Sequence, residues 1–199
     1  ATVSGATLSG GGTATTGAWT VRVAGLDGNE AVVTEDVTLE GTNGVTTTAS
    51  FLRVNSMEVL TAGTNGVNAG NLYAGYGTIT SGTPASIMGV IAASQNISQA
   101  AIYAVPANKK FVISAVALQI NTNEVLGTGT ATTITLDVHD IGGLRKNIKR
   151  WIVFNNELLN DFDPPIVVEA GEELIVRAVK ASSGTANVAV TINGILVDV

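Results

Sequence analysis

One phrase occurs twice in this chain, and it limits the fold more than any other feature. Val105-Pro-Ala-Asn-Lys-Lys-Phe-Val-Ile-Ser-Ala-Val116 aligns without a gap on Val168-Glu-Ala-Gly-Glu-Glu-Leu-Ile-Val-Arg-Ala-Val179. Each copy reads as a tight turn followed by a strand. The turn needs a residue that tolerates positive φ, and Asn108 and Gly171 hold equivalent places in it. Aliphatic residues then alternate as they do along a half-buried strand. A turn–strand unit used twice, in a chain otherwise made of short strands, points to a β-sandwich built from similar hairpins.

The rest of the chain agrees. Turn signals such as Asp27-Gly28, Gly41-Thr-Asn-Gly44 and the loop at residues 63–70 separate short alternating runs. Residues 51–62 alternate until the parity slips between Val54 and Met57, so a bulge near Asn55-Ser56 is expected to return both sides to the core. In the strand at 110–121, Val112, Val116, Leu118 and Ile120 are expected on one face. In the last strand Val188, Val190 and Ile192 share a face, and Gly194 is expected to let Ile195, Val197 and Val199 rejoin it. Residues 150–154 read as a strand after a basic loop. Gly127-Thr-Gly129 reads as a hairpin loop, and residues 156–162 as the only place for one short helical turn.

These signals give an all-β fold, a jelly-roll-like antiparallel β-sandwich over residues 18–199 preceded by an arm over residues 1–17. Two small sandwiches joined near residues 95–100 are the alternative. The arm is small in side chain and low in complexity, with Gly10-Gly-Gly12 at its centre. It buries too little to offset its ordering entropy. It is expected to become ordered only in an assembly, against a neighbouring chain, so that deleting residues 2–16 would leave the isolated fold intact.

Composition narrows the function. The chain is 45% hydrophobic and only 13% charged, against about 25% in ordinary soluble proteins. So little charge suggests a surface partly covered in an assembly. The net charge is −6, which disfavours nucleic acid as a partner. There is no cysteine, which removes disulfides, thiolate metal sites and thiol nucleophiles. No apolar run reaches the roughly 18 residues of a membrane helix.

Few residues carry chemistry. His139 is the sole histidine and shares a strand face with Asp137, opposite the apolar face. One His with one or two carboxylates is too thin a ligand set for a metal centre. A Ser–His–Asp triad would need this same histidine, and no G-x-S-x-G elbow is present. Gly10-Gly-Gly12 lacks the Lys-Ser/Thr of a phosphate loop. No catalytic residue, metal or cofactor is therefore assigned. One cluster stands out: Leu144-Arg-Lys-Asn-Ile-Lys-Arg-Trp151. Its bland reading is a solvated loop with Trp151 anchoring the strand after it. The functional reading makes Arg145, Lys146, Lys149, Arg150 and Trp151 a docking patch for an acidic protein surface or a polyanion.

Several phrases also resemble a known group. Thr34-Glu-Asp-Val-Thr-Leu-Glu-Gly-Thr42, Phe51-Leu-Arg-Val-Asn55, Asn68-Ala-Gly-Asn71 and Ile102-Tyr-Ala-Val-Pro-Ala-Asn-Lys-Lys110 are similar to phrases in virion structural proteins of tailed bacteriophages. The last usually carries Gly where this chain has Asn108. The resemblance implies a β-sandwich on the virion, a capsid decoration (cement) protein, and no catalytic residues. Its partners would be the major capsid protein or other virion proteins, and it would be a homo-oligomer, with a trimer favoured by closed symmetry. A receptor- or glycan-binding fibre or tail module is the alternative. Against it, Tyr73 and Tyr76 differ by three in one strand and so face opposite sides.

Overall fold

A computed structural model describes residues 2–5, 16–99, 101–122, 131–140, 143–154, 157–180 and 186–199. They contain fourteen strands and no helix. All pairings between strands are antiparallel. Where one sandwich was expected over residues 18–199, the chain forms two compact units, Ala1–Ala100 and Ala101–Val199. The division falls at the junction of the alternative reading. Its physical basis is that each unit closes its own apolar core.

The first unit holds β1 (Thr2–Gly5), β2 (Ala18–Leu26), β3 (Val32–Thr38), β4 (Val45–Thr46), β5 (Arg53–Ala62), β6 (Leu72–Thr80) and β7 (Thr83–Ile91). They pair as a four-stranded sheet, β4-β1-β6-β7, and a three-stranded sheet, β3-β2-β5. Val21, Val23 and Met57 from one sheet join Leu72, Ala74 and Ile91 from the other in one core. A fully buried aliphatic side chain of this size contributes about 1.5–3 kcal/mol. The expected bulge is present: Ser56 lies opposite Ala24 and Val54 opposite Gly25, so Asn55 is the extra residue. It lets both Val54 and Met57 point inward.

The N-terminal segment corrects an expectation. Thr2–Gly5 lies between β4 and β6 of its own chain, antiparallel to both. Four residues are enough because β6 already presents a fixed edge at Leu72–Gly75, held on its far side by β7. The remainder of the expected arm, residue 1 and residues 6–15, lies outside the described residues.

The second unit holds β8 (Ile102–Ala104), β9 (Lys109–Thr122), β10 (Ala131–His139), β11 (Arg145–Phe154), β12 (Glu157–Val168), β13 (Glu173–Lys180) and β14 (Ala186–Asp198). One sheet runs β11-β10-β13-β8 and the other β12-β9-β14. The pairs are nested: β10 with β11, β9 with β12, β8 with β13. Successive pairs alternate between the sheets, as in a hairpin rolled over on itself. The first unit does not share this nesting.

The repeated phrase sits where the chain crosses from one sheet to the other. The first copy carries β8 into β9, and the second carries β12 into β13. Asn108 has φ 59° and Gly171 φ 74°, as the turns require. Lys109 N–H donates to Pro106 O and Glu172 N–H to Glu169 O, each at 3.2 Å. The two turns also bond to each other. Val105 N–H donates to Glu172 O at 3.0 Å, and Gly171 N–H donates to Val105 O at 2.9 Å.

Three local expectations are corrected. Residues 157–162 belong to strand β12, not to a helical turn. Asn193 lies opposite Ala115 and Gly194 opposite Ile113, so the extra residue is Ser114 on β9. Ile113 therefore replaces Val112 on the core face, and Ile195 and Val199 stay exposed instead of rejoining it. The basic tract is strand from Arg145 onward, because it pairs along β10 from His139 to Ala131. The loop expected at Gly127-Thr-Gly129 lies outside the described residues.

Candidate interaction site

The cationic tract forms β11, an edge of the four-stranded sheet of the second unit. Its side chains are set by register on β10. Arg145 lies opposite His139, Asn147 opposite Asp137, and Arg150 opposite Thr135. A bulge at Ile148 separates Arg145 and Asn147 from Arg150 and from Lys149, which lies opposite Leu136. On the other side of β10, Glu173 lies opposite His139 and Arg177 opposite Thr135. The outer sheet face thus carries Thr135, Asp137 and His139 in the middle, with Arg145 and Arg150 on one side and Arg177 and Glu173 on the other.

Asp137 is the centre of this face. Its side chain has no exposed surface. Asn147 Nδ2 donates to it at 2.7 Å, Thr135 Oγ1 at 3.1 Å and Arg145 Nη2 at 2.7 Å. Arg177 Nε lies 3.8 Å away, and its Nη2 is 3.5 Å from His139 Nε2. Burial pushes the Asp137 carboxyl up, but the hydrogen bonds from Asn147, Arg145 and Thr135, with the Arg145 charge, outweigh it. The net effect holds the group below the usual carboxylate range. The guanidiniums that cover it remain partly open, with side-chain exposures of 45% for Arg145 and 44% for Arg177. Asp137 therefore acts as a buried tether that fixes two half-exposed cations on the outer sheet face.

The five expected docking residues separate into three groups. Arg145 is bound to Asp137, and Lys146 Nζ lies 3.5 Å from Glu172 on the second crossing turn. Lys149 and Arg150 are exposed and form no ion pair among the described residues. Trp151 is 6% exposed, packs with Phe162 at a centroid distance of 6.5 Å and donates Nε1–H to Asn160 Oδ1 at 3.0 Å. It is a core anchor for the strand, as its bland reading had it, and does not present itself to a partner. Arg177 joins the face although sequence reasoning missed it. It lies on β13, and only strand pairing brings it beside β10.

His139 meets a guanidinium, and its strand neighbour Asp137 is committed to arginine and asparagine. Among the described residues no group of three His, Asp or Glu side chains is placed to hold a metal ion. The face offers half-hydrated guanidinium groups, those of Arg145 and Arg177 held by Asp137, to acidic side chains. In the first unit the side chain and main chain of Asn96 are both engaged. Its Nδ2 donates to Gly66 O at 2.9 Å, and its main-chain N–H donates to the buried Asn68 Oδ1 at 3.0 Å. No protein-family model, curated protein or solved structure matches the chain.

Proposed function

We propose that this chain is a non-enzymatic structural protein of a virus particle, a decoration or cement protein that binds the major capsid shell of a tailed bacteriophage. The observation that carries the docking part is the cationic outer face of β10, β11 and β13. On a chain of net charge −6, Arg145, Arg150 and Arg177 gather on one sheet face, with Lys149 nearby on the β11 edge. A pre-positioned cationic face suits an acidic protein surface. The exposed pairs it forms would be individually weak, about 0–1 kcal/mol each, and would act mainly on association rate and register.

The assignment to a virion rests on the phrase resemblance. The low charge and the exposed aliphatics on the outer surfaces of both units, among them Val32, Ile87, Leu159 and Ile195, fit a protein partly covered in an assembly. Closed symmetry favours a homo-oligomer, and a seat on a capsid symmetry axis makes a trimer the first expectation for it.

The test is co-sedimentation with shells of the virus that encodes the chain, at several salt concentrations. The double charge reversal Lys149→Glu with Arg150→Glu leaves the Asp137 tether intact. It is expected to weaken binding and flatten its salt dependence. Unchanged binding by that variant would remove the cationic face from the reading. Absence of the protein from gradient-purified virions would remove the virion itself.

A further inference from the structure

We propose that β14 is a strand-pairing surface for a second copy of this chain, joining two second units through an antiparallel β14–β14 ladder. The argument begins from how each sheet edge is finished. An unfinished edge strand is a template for pairing, and proteins blunt it by shortness, charge, proline, bulges or cover.

Seven of the eight edges among the described residues carry such a device. In the first unit β4 is two residues long. β3 carries Glu35 and Asp36. β7 contains Pro84 and an extra residue, Met88, against β6. The outer edge of β5 is covered by the chain itself, since Val59 N–H donates to Asn96 O and Ser98 N–H to Met57 O. In the second unit β8 is three residues long. β11 bears Arg145, Lys146, Lys149 and Arg150, and register places Lys146 and Lys149 opposite the core residues Val138 and Leu136. β12 is broken by Pro164-Pro165 and a wide bulge, with Asp161 and Asp163 beside it.

β14 has none of these. It runs for 13 residues, Ala186–Asp198, with no proline and no charge before Asp198. Its first stretch, Ala-Asn-Val-Ala-Val-Thr-Ile-Asn193, pairs with β9 without interruption, and the bulge that follows takes its extra residue from β9. The core-facing Val188, Val190 and Ile192 are only partly buried at this open side.

The sequence of β14 selects its partner. A charge-free strand gives a foreign protein no electrostatic address. Against its own copy it meets no like charge. With the two-fold axis at Val190, Val188 faces Ile192, Ala189 faces Thr191 and Asn187 faces Asn193. Inner faces then meet inner faces, and β-branched residues meet β-branched ones. The result is a six-stranded sheet, β12-β9-β14 continued by its two-fold mate. The contact is narrow, well short of the roughly 800 Å² per partner of a standard interface. The pair therefore forms weakly in dilute solution and fully where copies are held close together.

The absence of native cysteine makes the test clean. Single cysteines are placed in the full chain at Val190, and as mixed pairs of Ala189→Cys with Thr191→Cys and Asn187→Cys with Asn193→Cys. Ser50→Cys in the first unit is the control, and oxidation is mild. Val190→Cys is expected to form disulfide dimers, and the mixed pairs to cross-link to each other more than to themselves. The exposed positions Ala189 and Thr191 keep the test valid if Val190→Cys folds poorly. Adding Ala189→Lys and Thr191→Lys to Val190→Cys is expected to cut dimer yield at least tenfold while the Trp151 emission shows a folded second unit. No cross-link at any β14 position, or a yield no greater than that of Ser50→Cys, would overturn the proposal. So would full dimer yield in the lysine variant.

Discussion

Asp137→Asn tests the tether beneath the cationic face. The substitution keeps the shape of the side chain and removes its charge. Asp137 now accepts a short bond from Arg145, one from Asn147 and one from Thr135. Hydrogen bonds to a charged group are worth about 1.5–3 kcal/mol each, and the new amide would point its own donors at one of these donors. Removing one partner of a fully buried pair costs about 3–5 kcal/mol. Here Arg145 and Arg177 are nearly half-exposed and can rehydrate, so the expected loss is smaller, about 2–3 kcal/mol. For a unit of this size that corresponds to a melting shift of roughly 8–24 °C.

The assay is intrinsic fluorescence in a Trp19→Phe background, where Trp151 alone reports on the second unit. The pH dependence supplies an independent check. The folded Asp137 carboxyl is held low, so its contribution is present above the unfolded value near 3.9 and is lost as pH falls through the folded value. The gap between parent and variant should therefore be full at neutral pH and close in acid below about pH 4. A gap under about 0.5 kcal/mol at pH 7, of the size of an ordinary surface change, would refute the reasoning. A gap of equal size in acid would do the same.

Three further outcomes follow from local geometry. Gly25→Ala places a Cβ 1.9 Å from Arg53 O, a backbone atom that cannot move aside, so the first unit should lose about 3 kcal/mol in a urea melt read by Trp19. Gly171→Ala should cost about 1–2 kcal/mol because the turn holds φ at 74°, whereas Asn108→Gly should be nearly neutral in the same thermal melt of the second unit. Deleting residues 1–5 should lower the first unit's melting point and speed hydrogen exchange at Leu72–Gly75, since β6 then loses its partner on that side; unchanged exchange there would mean the strand contributes nothing.

What the sequence revealed depended on whether the cause lay within one segment. Asn108 and Gly171 were legible because a tight turn states its own requirement for positive φ. The bulge at Asn55 was legible because the extra residue breaks parity in its own strand. The placement of Ile195 was not, because the extra residue, Ser114, sits in the neighbouring strand and leaves no mark on β14. Burial of Asp137 was hidden for the same reason. Its partners come from β11 and β13, and period-two reading of β10 alone shows a polar outer face. The boundary near residue 100 carried no linker signal, since residues 96–98 serve as cover for a strand edge. Trp151 was read two ways because a Trp beside arginines looks alike from sequence at an interface and at the rim of a core.

The nesting of the second unit bears on how quickly it assembles. Val105 and Gly171 are far apart in sequence, and closing that loop directly would carry a large entropic penalty. Nested pairing divides the closure into short steps. The turn between β10 and β11 spans a few residues, and once that pair has formed, the ends of β9 and β12 are already near one another. Their pairing then brings β8 to β13. Each step closes only the gap left by the step before, so the effective loop stays short although the contact order of the finished unit is high. On this scheme the crossing turns, with the bonds of Val105 to Gly171 and Glu172, are the last stitches of the unit. Substitutions there are expected to speed unfolding and leave the folding rate nearly unchanged.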